Sequence, residues 1–454
     1  MSNALAIHAK AAMLSEDWAD DVRITVADGR IASVTVGTAA QPDDQRVGLL
    51  IPGLPNLHSH AFQRAMAGLG EVRGAGDDSF WSWREAMYRV AGQVDPDAMQ
   101  AIAALAYVEM LEGGFTRVGE FHYLHHDPAG TPYADPAAMA SALVAAAQDS
   151  GIALTLLPVF YAHAGFGGQE PQAGQRRFVT SLDGYARLHA ASAAALRDLP
   201  DAVLGLAPHS LRAVTPDQLA ALTALAGGAP IHIHIAEQRR EVEDCLAWSG
   251  QRPVEWLLDN APVGPNWCLV HATHMTGAEP STLARSGAVA GLCPVTEANL
   301  GDGLFPASDF INADGCWGIG SDSNVLIDAF EELRWLEYGQ RLSMQRRNVF
   351  AARPGDSTGA VLFDAAGRGG AQALGAAFGI AAGHSADLVS LDPDHPALAA
   401  CPSGSRLDAL IFAAGRAAID CVWRHGAKVV SGGRHVARAA IAARYASAIE
   451  RLRA

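Results

Sequence analysis

Residues 52–60 read PGLPNLHSH. An apolar run that begins near residue 49 ends here in two histidines separated by one residue. In an extended strand side chains alternate, so His58 and His60 project to the same side and two imidazoles can share one ion. Apolar runs of this kind recur at 115–121, 152–160, 203–207, 230–235, 267–270, 288–293 and 316–320. Helix-like stretches lie between them. DPDAMQAIAALAYVEMLEGG at 95–114 and TPDQLAALTALAGG at 215–228 each open on a capping residue followed by Pro and close on Gly. Eight strand–helix alternations predict an α/β protein built as a (β/α)8 TIM barrel. An open doubly wound sheet is the alternative architecture for the same alternation.

Outward from the barrel, both ends of the chain read as strands. DVRITVADGRIASVTVG at 21–37 alternates around Asp28-Gly29, a strong hairpin signal. ADLVSLD at 386–392 and VWRHGAKVVSGG at 422–433 repeat the style. These ends predict a small β-sandwich module made from 1–50 and 385–454, enclosing a barrel at 51–384. The segment 61–94 is too long for an ordinary strand-to-helix loop. It carries Trp81, Trp83 and Arg84 in SFWSWREAMYR. It is either a lid over the barrel mouth or a surface helical insertion that packs its own aromatics.

Composition narrows the function. A chain of 454 residues, 50% of them hydrophobic, can bury one large barrel and a smaller module. The net charge of −15 and pI of about 5.5 oppose nucleic-acid binding, which needs a basic face. They leave room for an anionic small molecule, because a few local arginines can reverse the field inside a pocket. The six cysteines (245, 268, 293, 316, 401 and 421) form no C-x-x-C pair and read as reduced thiols of a cytoplasm. The first 14 residues lack a basic stretch followed by a long apolar run, and no segment offers about 18 uninterrupted apolar residues. A soluble, unexported protein with no membrane partner is expected. Lysine occurs only at Lys10 and Lys428.

The other polar residues that end predicted strands are His232, His234 and Glu237 in HIHIAE, then His271, then Asp322 in GSDS. In a barrel all C-terminal strand ends meet on one face, where active sites sit. Each item alone has a plain explanation. The H-x-H pair could be surface or core-satisfied histidines, His271 a hydrogen-bonded core histidine, and Asp322 a helix cap. Together they form an imidazole and carboxylate set suited to Zn²⁺ and related ions. His232 shares the parity of His234 but lies deeper, which suits packing or support.

These pieces, PGLPNLHSH, HIHIAE, LVHATH, GLCPVTEANLG, GIGSDS and ADLVSLD, resemble the amidohydrolase superfamily over nearly the whole chain and in its order. The resemblance implies a distorted (β/α)8 barrel with a β-sandwich built from both ends. It implies metal ligands at His58, His60, His234 and Asp322, with Glu237 and His271 beside the metal. No Lys lies between residues 11 and 427, so the carbamylated lysine that bridges two metals in many relatives has no counterpart. One divalent ion per chain, Zn²⁺, is expected. The unrelated nucleobase deaminases with P-C-x-x-C ligands do not match.

Within the superfamily, NLHSHAFQRAMAGL, SFWSWREAMY, GEFHYLHH, APHSLRAV and CPVTEANLGDGLFP resemble the formimidoylglutamate deiminase family. Relatives that deaminate aromatic bases usually centre the stretch after strand seven on Ser-Asn, where this chain has Thr296-Glu297-Ala298-Asn299. The resemblance implies hydrolytic deamination of N-formimino-L-glutamate to N-formyl-L-glutamate and ammonia, in histidine degradation. A dicarboxylate needs cationic donors, and Arg84 and Arg212 can each offer a bidentate fork. Tyr123 can add a hydroxyl, His209 can join Arg212 at the α-carboxylate, and Gln63 can bond the formimino group. The plain alternative for each Arg is a solvated ion pair. Glu237 would be the general acid/base, His271 would stabilise the adduct, and Asp322 would orient the attacking hydroxide. The expected partners are this small dicarboxylate and a second copy of the chain in a homodimer. Two competing functions are an amidohydrolase-type deaminase of an aromatic base, such as guanine or an adenosine derivative, and a non-catalytic assembly protein. Proteins of the latter kind often lose ligands that this chain keeps.

Overall fold

Asp28 and Gly29 adopt φ values of 49° and 77°, the left-handed pair that a two-residue hairpin turn requires. They fold strand Asp17–Ala27 back on Arg30–Thr35. His425 and Gly426, at φ 49° and 75°, do the same between Ile419–Arg424 and Ala427–Ser431. The computed structural model describes residues 5–15, 17–73 and 79–453. It joins both chain ends in one eight-stranded sheet. At its centre Leu5–Leu14 runs parallel to Gln45–Pro52, and Gln45–Pro52 pairs antiparallel with Leu388–Leu391. Ile7, Val22, Ile24, Leu388 and Trp423 give this sheet a core of its own.

The apolar run at 49–57 is two strands rather than one. Gln45–Pro52 belongs to the terminal sheet, and Leu54–Ser59 starts the parallel array. The break falls at Gly53, where a Cβ would lie 2.2 Å from Thr116. Leu54–Ser59, Phe115–His122, Ala153–Phe160 and the short Val203–Leu204 pair in parallel in chain order. Ile231–Ile235, Trp267–His271, Val289–Leu292 and Cys316–Ile319 form a second parallel arc. The run at 203–207 is likewise broken, into Val203–Leu204 and Ala207–Pro208. Parallel bridges Leu206 to Ile231 and Ser210 to His234 link the arcs on one side, and Ser59 to Asp322 links them on the other. Every residue of Phe115–His122 and Ala153–Phe160 is buried, as expected of parallel strands covered on both faces.

The helices follow the caps read from the sequence. Asp95 accepts from the Ala98 N–H at 2.7 Å to start Pro96–Glu112. Thr215 and Gln218 form a capping box for Pro216–Ala226, which ends at Gly227 with φ 56°. The last helix, Arg438–Arg453, packs on Pro96–Glu112, with Arg438 paired to Glu109 and Glu112 and the Tyr445 hydroxyl on the Arg64 carbonyl. The insertion at 61–94 holds a short 3-10 helix, Ala61–Met66, and the helix Phe80–Ala91, capped by Ser79. Its residues 74–78 lie outside the described residues. Arg177 anchors the C-terminal end of that helix by donating to the carbonyls of Ala91 and Val94. No described helix is long and apolar enough to cross a membrane.

The eighth strand meets the first without room for a side chain. A Cβ at Gly320 would lie 2.8 Å from the His58 carbonyl oxygen and 2.9 Å from the His58 Cβ. Gly320→Ala is expected to cost about 1–3 kcal/mol of stability and to weaken metal retention by displacing His58. Thermal unfolding and elemental analysis check this. Wild-type values for both would show that the contact between the strands yields.

Candidate active site

Backbone pairing at that meeting point sets the first candidate ligands. The His60 N–H donates to the Asp322 carbonyl at 2.9 Å, and the Asp322 N–H donates to the His58 carbonyl at 3.0 Å. Buried side chains reinforce the joint: Asn56 Nδ2 donates to Ser321 Oγ at 2.7 Å, Ser321 Oγ to Asn324 Oδ1 at 2.6 Å, and Asn324 Nδ2 to Ser59 Oγ at 3.1 Å. Asp322 Oδ1 consequently lies 3.5 Å from His58 Nε2 and 3.2 Å from His60 Nε2. His234, at the end of the fifth strand, brings its Nε2 to 3.0 Å from that of His58. The His58 and His60 Nε2 atoms are 3.2 Å apart.

Three imidazoles and a carboxylate, all buried, thus point their donor atoms at one spot. Ligands at about 2.0–2.1 Å from a tetrahedral Zn²⁺ sit about 3.3 Å from one another, so the separations suit such an ion. His60 Nδ1 donates to the Phe121 carbonyl at 2.9 Å, which leaves the Nε2 lone pair facing inward. Burial pushes the His58 pKa down to about 3 and that of His234 well below the ordinary value, so both are neutral, the form that can bind a metal. Burial alone would raise Asp322, but the adjoining imidazoles of His58 and His60 hold its carboxyl well below the usual range. His232 bonds the Ala373 carbonyl at 2.8 Å and takes no part.

Beside this cluster stand Glu237 and His271. His271 Nε2 is 3.9 Å from both Glu237 Oε1 and Asp322 Oδ2. Burial would discharge His271, but Glu237, the hydrogen-bonded Glu297 and Asp322 together push its pKa up to about 10. Burial raises the Glu237 pKa against the pull of His271 and Arg212. The backbone at these strand ends is left-handed, with φ 49° at Ala236, 70° at His271, 49° at Ala272 and 43° at Asp322.

A pocket opens above the cluster. Gln63, Arg84, Tyr123, His209 and Arg212 all line it, as do His60, His234, Glu237, His271 and Asp322, while His58 lies fully buried beneath. Gln63 Nε2 donates to the Tyr123 hydroxyl at 3.0 Å, and its Oε1 is buried without a partner. Burial and the Arg212 charge push His209 well below its ordinary pKa, keeping it neutral. Arg212 approaches Glu241 only to 3.9 Å, and its Nε has no partner. Among the described residues Arg84 has no carboxylate partner; its guanidinium lies over Trp81 at 4.5 Å and Tyr88 at 5.5 Å, and no described residue bonds its buried Nε. The helix Phe80–Ala91 therefore supplies one wall of the pocket, with Trp83 and Tyr88 beside Arg84.

Two carboxylates with a part in the geometry went unnoticed in the sequence. Glu297 accepts from His271 Nδ1 at 3.2 Å and from the Cys293 N–H at 2.9 Å, orienting the imidazole. Glu241 accepts from the N–H groups of Ala236 and Glu237 at 3.1 and 3.3 Å and faces Arg212. Glu241 had a faint signal, an acid in the first turn of the helix Arg239–Ser249 four residues after Glu237. Glu297 had none beyond its place in a quoted motif.

With this arrangement, a family model described as "Amidohydrolase family" matches residues 49–429. The chain belongs to the amidohydrolase family. A second model, "Formimidoylglutamate deiminase HutF, N-terminal domain", matches residues 4–48 of this amidohydrolase. The amidohydrolase is 52% identical over 435 residues to a formimidoylglutamate deiminase of Pseudomonas aeruginosa, covering 95% of each chain. It superposes on the crystal structure of an amidohydrolase from Brucella melitensis with a TM-score of 0.96 and 54% identity, covering 99% of this chain and 100% of that one. An adenosine deaminase from Xanthomonas campestris with bound zinc superposes with a TM-score of 0.82 at 26% identity, covering 99% and 98%.

Glu297→Gln keeps an acceptor oxygen but removes the charge that helps hold His271 protonated. Turnover is expected to fall about 10- to 100-fold, as for other residues that orient a catalytic group from behind, with metal content unchanged. Wild-type turnover in this variant would show that Glu297 has only a packing role.

Proposed function

We propose that this amidohydrolase hydrolyses N-formimino-L-glutamate to N-formyl-L-glutamate and ammonia, a step of histidine degradation. One observation carries it: two guanidinium groups, Arg84 and Arg212, face the pocket without a hydrogen-bonded carboxylate among the described residues. A substrate with two carboxylates supplies the missing anions. The 52% identity to a curated formimidoylglutamate deiminase supports the same substrate. Six unpaired thiols support a reducing, cytoplasmic setting.

We further infer that the two parallel arcs form one distorted (β/α)8 barrel at 51–384, with 61–94 as a lid-like insertion. The terminal sheet, from 1–50 and 385–454, curls into a small sandwich. The bridges that join the arcs on both sides and the separate core of the terminal sheet support this division.

His58, His60, His234 and Asp322 would hold one Zn²⁺, which when bound acidifies water and supplies hydroxide at neutral pH. Asp322 Oδ2, the oxygen facing His271, orients the attacking oxygen towards the formimino carbon. As the new C–O bond forms, Glu237 takes a proton from the attacking water and delivers it to the imine nitrogen, and it then carries the remaining hydroxyl proton of the adduct to that same nitrogen. His271, kept protonated, donates from Nε2 to the oxygen on which negative charge develops. Gln63 Oε1 accepts from the formimino N–H. Collapse of the tetrahedral adduct breaks the C–N bond and releases ammonia.

Metal-replete enzyme is expected to contain one tightly held Zn²⁺ per chain, and Asp322→Ala to lose both metal and activity. Elemental analysis giving two ions per chain would overturn the one-metal assignment. The substrate is tested by ammonia release over a panel of formimino-amino acids, guanine, cytosine and adenosine. Formiminoglutamate should be turned over fastest. Arg84→Met and Arg212→Met should each lower kcat/KM roughly 30-fold or more, because an unpaired charge in a desolvated site costs about 2–5 kcal/mol. An aromatic base turned over faster than formiminoglutamate would move the enzyme to the base deaminases, a class that includes its adenosine-deaminase neighbour.

A further inference from the structure

Tyr161 directly follows the third parallel strand, Ala153–Phe160. It lines the pocket with Arg84 and Arg212, and no role has been given to it above. Its hydroxyl has a defined polarity. The Gln172 N–H, which can only donate, bonds Gln175 Oε1 at 2.8 Å. This turns Gln175 Nε2 towards Tyr161 Oη, 2.6 Å away. Gln175 is 1% exposed, so no solvent competes for either end of the amide. The amide nitrogen also only donates, so the Tyr161 oxygen must accept and its hydrogen must point elsewhere.

Among the described residues no protein acceptor takes that hydrogen. The equivalent hydrogen of Tyr123, whose oxygen accepts from Gln63, reaches Met87 Sδ at 3.8 Å. Burial pushes the Tyr161 pKa up, so the hydroxyl keeps its proton, and the charges of Arg212 and Arg84 act on it. Guanidinium groups accept no hydrogen bond. A spare hydroxyl donor in the field of two such cations suits an anionic oxygen brought in from outside.

We propose that Tyr161 is a specificity-determining residue that donates its hydroxyl hydrogen to a substrate carboxylate, and that Gln175 is the positioning residue that sets its direction. This rests on the dicarboxylate assignment of the pocket. The test separates the two by measuring binding of glutarate, a dicarboxylate without a C=N bond, to zinc-loaded enzyme by calorimetry. Tyr161→Phe should weaken glutarate about 10-fold or more, the scale of a hydrogen bond to a charged group. It should raise KM for formiminoglutamate while kcat stays within about threefold, with metal content unchanged. Gln175→Met should weaken glutarate less, and should have no further effect in the Tyr161→Phe background, since the coupling runs through the hydroxyl. Unchanged glutarate binding by Tyr161→Phe, with formiminoglutamate still turned over by wild type, overturns the Tyr161 role and leaves the proposed function standing. Equal effects of Gln175→Met with and without the hydroxyl overturn the role of Gln175. Wild-type enzyme that neither binds glutarate nor releases ammonia from formiminoglutamate overturns both.

Discussion

The peptide of Asp322 is bonded on both sides to the first strand, through its N–H to His58 and through its carbonyl to His60. The same two hydrogen bonds that join the last strand to the first therefore hang a carboxylate over two imidazoles. Residues 264 positions apart in sequence share one ion site because the parallel array returns to its start. Asn56, Ser321, Asn324 and Ser59 form a buried chain of hydrogen bonds behind this joint. Each polar member has a partner there, and such a network favours a single arrangement. His234 and His271 need only sit at the ends of neighbouring strands to complete the cluster.

Charge is graded along the pocket. Its floor holds Asp322 and Glu237, with Glu297 behind His271. Its upper wall carries Arg84 and Arg212. A substrate with a basic amidine at one end and carboxylates at the other matches this gradient in one orientation only. The overall charge of −15 repels a net anion at a distance, so attraction is confined to the pocket and is felt at short range.

Much of this was legible because its signals are local or periodic. The Asp28-Gly29 turn, the caps at Asp95 and Thr215, and the polar residues that end the apolar runs all announce themselves within a few positions. The convergence of His58, His234, His271 and Asp322 followed from their places at the C-terminal ends of parallel strands, not from distance in sequence. What stayed hidden depends on tertiary contact. Gly53 looks like a residue inside one strand until Thr116 is seen packed against it. Glu297 reads as an ordinary helical acid, since His271, which it orients, lies 26 residues away on another strand. The direction of the Tyr161 hydroxyl depends on a glutamine amide whose own orientation is fixed by a third residue.

The left-handed backbone at Ala236, His271, Ala272 and Asp322 bears on how this enzyme would respond to engineering. Such conformations cost of order 1–3 kcal/mol each in residues other than glycine. They place a tension at the rim that the packed strands below must contain. Substitutions chosen for heat resistance would be drawn to these positions, because glycine at Ala236 or Ala272 removes the steric penalty. The same change would free the chain next to Glu237 and His271 to wander. Thermal robustness and catalytic alignment are therefore opposed at the rim, and durable variants are better sought in the terminal sheet and the outer helices.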